Sequence, residues 1–240
     1  MTIDPAAARL AVALDVPDLE RLRALATTLG NRVGTFKIGL EAFVAHGAAA
    51  VDAARSAGAD IFLDLKLHDI PRTVAAAVRS AGRIGVDLLT LHALGGPAMI
   101  AAAREAADSL GPGRPRLLAV TVLTSHGRDD LAAIGLAGPP EEAVLRLARL
   151  AIEAGADGLV ASAREAPALR AALGPDPLLV TPGIRPAGAA RGDQVRVTTP
   201  ADAIRGGSSL LVVGRPIVGA ENPAAAADMI LAEIRDALAA

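Results

Sequence analysis

Cysteine, tryptophan and tyrosine are absent from this 240-residue chain, and phenylalanine occurs only 3 times. Without cysteine there is no disulfide framework, no thiolate-bound zinc and no thiol nucleophile. Three phenylalanines cannot build the stacking platform that single-stranded nucleic acids need. Charge of one sign is also missing. With 24 basic and 26 acidic residues the formal net charge is -2, which argues against broad nucleic-acid or polybasic membrane binding. The longest run without a charged residue, Leu88–Ala103, is broken by Gly95, Gly96 and Pro97 and is too short to span a bilayer. The N-terminus lacks a basic segment ahead of its apolar run and meets Asp15 early. The expectation is a cytoplasmic protein.

Two further scarcities are more informative. Lys37 and Lys66 are the only lysines beside 22 arginines, and Gln194 is the only glutamine. The Ala, Gly, Pro and Arg bias fits a GC-rich coding background, which accounts for the missing lysines but not for the positions of the two that remain.

Hydrophobic content is 52%, enough for a packed globule. Short β-rich runs occur at Leu10–Leu14, Gly34–Ile38, Asp60–Leu63, Val86–Leu91, Arg116–Val122, Gly158–Ala161, Leu178–Thr181 and Ser209–Val213. Amphipathic helical stretches lie between them. Pro17–Leu29 stops at Gly30, Glu141–Ala154 stops at Gly155, and a last helix has Asn222 as N-cap and Pro223 at its first position. Eight strand–helix units in this length predict an α/β fold, a single-domain (β/α)₈ TIM barrel over residues 1–240, with 1–8 as an N-terminal tail. A doubly wound open sheet competes, but there is no G-x-G-x-x-G after the first strand and no Walker A sequence. In the first strand Ala11, Ala13 and Asp15 share one face. Small residues suit a crowded barrel interior, which places Asp15 at the strand's carboxyl end, where barrel enzymes carry their chemistry.

The densest segment is Asp64–Thr73, reading DLKLHDIPRT. In an extended chain Phe62, Asp64 and Lys66 share a face, so Asp64 and Lys66 point side by side into the barrel mouth. Lys37 is expected at the same level on the preceding strand and Asp15 on the one before. A buried salt-bridge cluster that only fixes register is the bland reading. Burying charges is costly, however, and apolar residues often serve stability equally well, so charges at strand ends point to function. Lysine, unlike arginine, can give up a proton near neutral pH. Both lysines fall in this cluster.

Gly214-Arg215-Pro216 after the last strand suits backbone and guanidinium contacts to a phosphate. Thr181–Pro186, reading TPGIRP, precedes a Gly-rich loop that runs to about Pro200. A loop of that length suits a lid over an anionic ligand, with Arg185 and Gln194 as donors. His68 lies by parity on the inner face beside the charges. His92 ends the fourth strand, and His46 and His126 look like surface or loop residues. No pair has H-E-x-x-H spacing, although Asp15 and Asp64 leave a carboxylate-bound Mg²⁺ open.

Taken in order, Ala13–Asp15 (ALD), Phe36–Gly39 (FKIG), Phe62–Thr73 (FLDLKLHDIPRT), Ala119–Ser125 (AVTVLTS), Val180–Pro186 (VTPGIRP), Gly192–Gln194 (GDQ) and Val212–Ile217 (VVGRPI) resemble the orotidine 5'-phosphate decarboxylase family. The resemblance covers nearly the whole chain. It implies a (β/α)₈ homodimer with shared active sites that needs no cofactor and no metal. It implies decarboxylation of orotidine 5'-monophosphate to uridine 5'-monophosphate in pyrimidine biosynthesis. By the same resemblance Lys37, Asp64 and Lys66 form the charged array, completed by Asp69 from the other subunit. Lys66 is then the proton donor to C6, and Asp64 lies near the substrate carboxylate. Asp15 and Lys37 hold ribose hydroxyls, and Thr124 meets the pyrimidine. Ile70 and Thr73 reach across the interface. Pro182, Arg185, Gln194, Gly214 and Arg215 belong to the substrate site, the last four around the 5'-phosphate. The nearest alternative is a Mg²⁺-dependent sugar-phosphate decarboxylase or aldolase of the same superfamily, which shares D-x-K-x-x-D. A more remote one is a non-catalytic barrel that binds a phosphorylated ligand.

Overall fold

A computed structural model describes residues 4–136, 138–186 and 198–239. The eight strands are β1 (Leu10–Ala13), β2 (Thr35–Gly39), β3 (Asp60–Leu67), β4 (Leu88–His92), β5 (Arg116–Val120), β6 (Gly158–Val160), β7 (Leu178–Thr181) and β8 (Leu210–Val213). All pair in parallel in sequence order, and Ala11 opposite Val212 closes the barrel. Each of the eight sequence runs overlaps one strand. The bounds differ by at most two residues except in β3, which continues from Leu63 to Leu67.

The helices are α1 (Leu19–Leu29), α2 (Leu40–His46), α3 (Ala48–Arg55), α4 (Pro71–Arg83), α5 (Gly96–Asp108), α6 (Arg128–Ala133), α7 (Pro140–Glu153), α8 (Ala166–Leu173), α9 (Pro200–Arg205), α10 (Arg215–Val218) and α11 (Pro223–Ala239). Their starts are written in the sequence. The Asp18 carboxylate accepts from the Arg21 N–H at 2.7 Å, and Asn222 Oδ1 accepts from the Ala225 N–H at 3.0 Å. Each satisfies a backbone donor that the helix itself leaves open. In α1, Leu22, Leu25, Ala26 and Leu29 form the buried stripe.

Strand alternation sorts apolar side chains into two cores. Ala11, Ala13, Phe62, Leu88, Leu118, Val180, Leu210 and Val212 fill the barrel interior. Leu10, Val12, Leu14, Ile38, Ile61, Leu63, Leu89 and their neighbours pack outward against the helices. The expected parity of β1 therefore holds. Ahead of β1, Ala7–Arg9 forms a 3₁₀ turn, and Ala6 and Ala7 are buried.

A local device recurs at the amino ends of the strands. Gly85-Val86-Asp87, Gly155-Ala156-Asp157 and Gly207-Ser208-Ser209 each turn from a helix into an even-numbered strand through a glycine at positive φ. The third residue then accepts the first free N–H of the preceding strand. Asp87 takes that of Ile61 at 2.8 Å, Asp157 that of Leu117 at 2.7 Å and Ser209 that of Leu179 at 3.1 Å. Among the described residues no helix is long and apolar enough to cross a membrane.

Candidate active site

Four charged side chains meet at the carboxyl end of the first three strands. Lys37 Nζ lies 3.0 Å from Asp15 Oδ1 and 3.6 Å from Asp64 Oδ2. Lys66 Nζ lies 2.9 Å from both Asp64 oxygens. The order is acid, base, acid, base, so each charge has an opposite neighbour, which is what makes such burial tolerable. The Lys37 and Asp64 side chains are 10% and 13% exposed, whereas Asp15 is 49% exposed and Lys66 30%. The two inner charges are thus desolvated and the two outer ones face the mouth. Burial pushes the Asp64 carboxyl up, but the Lys37 and Lys66 ammoniums, with hydrogen bonds from Lys66 and Thr90, outweigh it and hold Asp64 below its ordinary value.

The register differs from that of a simple extended chain. Lys37 stands opposite Phe62, and Gly39 stands opposite Asp64. The Lys37 backbone is therefore one inward-facing position lower than Asp64, and its long side chain makes up the difference. Along β3 the pairing with β4 runs Phe62–Leu88, Leu63–Leu89 and then Leu67–Leu91. β3 advances from 63 to 67 while β4 advances from 89 to 91, so β3 bulges where Asp64 and Lys66 sit. Lys66 has φ 51°, the single positive value outside glycine among the described residues. Its N–H donates to Thr90 Oγ1 at 2.9 Å, and the Thr90 hydroxyl donates to Asp64 Oδ1 at 2.9 Å.

Two residues in this array have a role that their residue type and spacing do not reveal, although Gly39 closes the Phe36–Gly39 motif. Thr90 is fully buried in the middle of an apolar strand. Gly39 ends β2, and a Cβ placed there would stand 2.6 Å from Asp15 Oδ1 and 3.0 Å from Lys37 Nζ. The first is recognisable only from β3–β4 register, the second only from the approach of two side chains in space. Nearby, the His68 and His92 rings lie 5.5 Å apart. Burial lowers the His92 pKa, and the charges of His68 and Lys66 push it the same way.

Two adjoining cavities open above the array. One, of about 180 Å³, is lined by Lys37, Phe62, Asp64, Lys66, Thr124 and Pro182 among others. Its remaining walls are mostly aliphatic, which suits a flat ring held edge-on to a few polar groups. The other, of about 410 Å³, is lined by Asp15, Lys37, Pro182, Arg185, Gly214 and Arg215 among others. Lys37, Pro182 and Val212 belong to both, so the two form one groove. Arg185 is 8% exposed, a desolvated cation suited to an anion. Ile184 bridges to Thr198, and the Arg185 N–H donates to the Thr198 carbonyl at 3.1 Å. These contacts bring Ile184 and Arg185 beside Thr198. Gln194 lies outside the described residues.

Asp69, Ile70 and Thr73 are not part of this groove within one chain. All three are exposed, and the Asp69 carboxylate accepts only the neighbouring Ile70 N–H among the described residues. A carboxylate-bound cation between Asp15 and Asp64 also finds no room, because the Lys37 ammonium occupies the point where both carboxylates converge. Among the described residues no group of three or more His, Asp or Glu side chains is arranged to hold a metal ion.

Residues 8–230 match the model of the Orotidine 5'-phosphate decarboxylase / HUMPS family. An orotidine 5'-phosphate decarboxylase of Anaeromyxobacter sp. (strain K) is 57% identical over 224 residues, covering 93% of this chain and 97% of that protein. One from Geobacter sulfurreducens is 52% identical over 236 residues, covering 98% of this chain and 99% of the other. The crystal structure of orotidine 5'-phosphate decarboxylase from Lactobacillus acidophilus superposes with a TM-score of 0.82 at 39% identity, covering 94% of this chain and 98% of that one.

Proposed function

The chain belongs to the orotidine 5'-phosphate decarboxylase / HUMPS family, and we propose that it decarboxylates orotidine 5'-monophosphate to uridine 5'-monophosphate and CO₂ with its own side chains. The observation that carries this reading is the alternating row Asp15–Lys37–Asp64–Lys66 at the meeting point of a ring-sized and an anion-sized cavity.

In the reaction the bond from C6 to the carboxylate carbon breaks, and its electron pair stays on C6 in the plane of the ring. The ring cannot delocalise that pair, so the site must stabilise it electrostatically. The Lys66 ammonium, at the edge of the ring cavity, supplies that field. It then donates a proton to C6 and recovers one from solvent. Asp64 orients Lys66 through two 2.9 Å contacts and lies beside the leaving carboxylate. Lys37 holds Asp64 from the other side and, with Asp15, takes the ribose hydroxyls. Thr124 and Pro182 flank the ring. Arg185, Gly214, Arg215 and Gln194 take the phosphate, whose binding energy orients a ring that is itself weakly held.

The second subunit belongs to the same reading. Leu40, Val44, Ile70 and Leu94 are exposed large apolar residues, and they follow β2, β3 and β4 at the mouth of the barrel. Exposed apolar surface beside a site supports an interface there. A second copy seated on it would bring its own Asp69, Ile70 and Thr73 to this groove. The protein would act in the cytoplasm, where nucleotide precursors are made.

Loss of the orotate absorbance band on adding purified protein to orotidine 5'-monophosphate tests the activity. Turnover should persist in excess EDTA. No change over hours would overturn the assignment, and turnover abolished by EDTA and restored by Mg²⁺ would overturn the proposal that the side chains act without a metal.

A further inference from the structure

The β3 bulge poses a problem that one side chain solves. Between Leu63 and Leu67 the ladder to β4 is interrupted, and Lys66 stands at φ 51°, a conformation that a residue with a Cβ adopts only when its surroundings impose it. An N–H at such a point loses its regular strand partner and is costly to leave unmet in a buried wall. Here it is met by Thr90 Oγ1 at 2.9 Å. The same oxygen carries a single proton, and that proton goes to Asp64 Oδ1 at 2.9 Å. One hydroxyl thus fixes the backbone of Lys66 and the carboxylate of Asp64 at once, from a third residue on another strand. Its burial is complete, so water cannot easily replace it.

We propose that Thr90 is a positioning residue for the reaction, setting the bulge that aims Lys66 Nζ and holding the Asp64 carboxylate in the rotation that meets it. Valine at this position keeps the shape but has no hydroxyl. It leaves the Lys66 N–H unmet and frees one Asp64 oxygen to turn away. The 2.9 Å pair of contacts between Lys66 and Asp64 then loses its outer brace. A displacement of that kind is felt in the chemical step more than in binding. The phosphate and ribose contacts lie elsewhere in the groove, so affinity for the nucleotide is carried by groups that Thr90 does not touch.

The inference rests on Asp64 and Lys66 being the reacting pair, so the experiment includes Lys66→Ala. Steady-state kinetics on orotidine 5'-monophosphate are measured for Thr90→Val, Thr90→Ser and Lys66→Ala, with uridine 5'-monophosphate affinity as the binding control. Thr90→Val should lower kcat about ten- to a hundred-fold while KM and product affinity stay within about three-fold. Thr90→Ser, which keeps the hydroxyl, should recover most of the loss. A Thr90→Val enzyme with kcat within two-fold of the parent overturns the proposal, and so does a Thr90→Ser enzyme as slow as the valine variant. If valine prevents folding, Thr90→Ala against Thr90→Ser decides by the same criteria. Substantial turnover by Lys66→Ala would instead sink the reading of the site. An inactive Lys66→Ala beside a fully active Thr90→Val sinks only the role of Thr90.

Discussion

Gly39 bears no functional group, yet it is held by function more than by backbone. Its φ of -90° and ψ of -176° are open to any residue, and a side chain there would have to displace the Asp15 carboxylate at 2.6 Å and crowd the Lys37 ammonium at 3.0 Å from the Cβ position. Gly39→Ala should therefore fold with a melting temperature close to the parent, because alanine lowers the entropy of the unfolded chain. It should cost at least about ten-fold in kcat/KM, because the Asp15–Lys37 pair must separate. Kinetics and a thermal melt on the same preparation check this, and parental kcat/KM would refute it. The contrast with the charged residues explains what the sequence makes legible at this scale. Asp15, Lys37, Asp64 and Lys66 stand out because a charge is anomalous in an apolar strand, and the two lysines stand out again because the chain otherwise uses arginine. Gly39 and Thr90 are ordinary in their strands. Their importance arises from approach distances and register, which one-dimensional spacing does not contain.

The same limit acts on elements. Periodicity marks all eight strands, since alternation and Gly- or Asp-rich turns are local signals. It cannot mark the extension of β3 past Leu63, because a bulge breaks the alternation by which strands are recognised. Lys37 is likewise displaced by one inward position from the level that simple parity suggests, since strand stagger in a barrel is a property of closure. At the opposite end, the even-strand caps offer a test with a definite sign. Asp157 accepts from the Leu117 N–H and pairs with Arg114 at 2.7 Å and Arg104 at 3.3 Å. Burial pushes its carboxyl up, but these partners outweigh that and hold it below its ordinary value of 3.8. A depressed carboxyl pKa means stability that is present above the unfolded value and lost as pH falls through the folded one. Asp157→Asn should cost about 2 kcal/mol at pH 7, read as a lower urea midpoint with unchanged slope. The gap to the parent should narrow below pH 3.8. Asp60, two residues before Phe62, is shifted the other way, raised by burial and by the Asp87 charge. Asp60→Asn should raise the midpoint at pH 7 and lose that advantage in acid. A gap for Asp157→Asn that is the same at every pH would show that its charge is irrelevant to the cap.

For the whole molecule, one chain holds a groove that its expected members Asp69, Ile70 and Thr73, all exposed, do not line. A barrel closes on itself and leaves no strand edge for pairing, so in the proposed dimer a second copy would dock through loops and helix ends. The exposed apolar residues Leu40, Val44, Ile70 and Leu94 follow three consecutive strands, of which the first two carry Lys37, Asp64 and Lys66. A two-fold docking on this surface is self-complementary and would bring each Asp69 toward the other copy's Lys66. The consequence is arithmetic. Lys66→Ala and Asp69→Ala should each be inactive alone, because every site in either dimer lacks one residue. After subunit exchange at equal amounts, half of the dimers are hybrids, and each hybrid has one site lacking both residues and one lacking neither. Activity should recover to about one quarter of the parent, as two-fold symmetry requires. Ile70→Glu, which places a charge on the docking surface, should lower activity in proportion to its loss of dimer on size exclusion. If exchange is verified by differential tagging and the mixture stays inactive, Asp69 does not act across the interface. If Ile70→Glu is fully active as a monomer, the groove is complete within one chain.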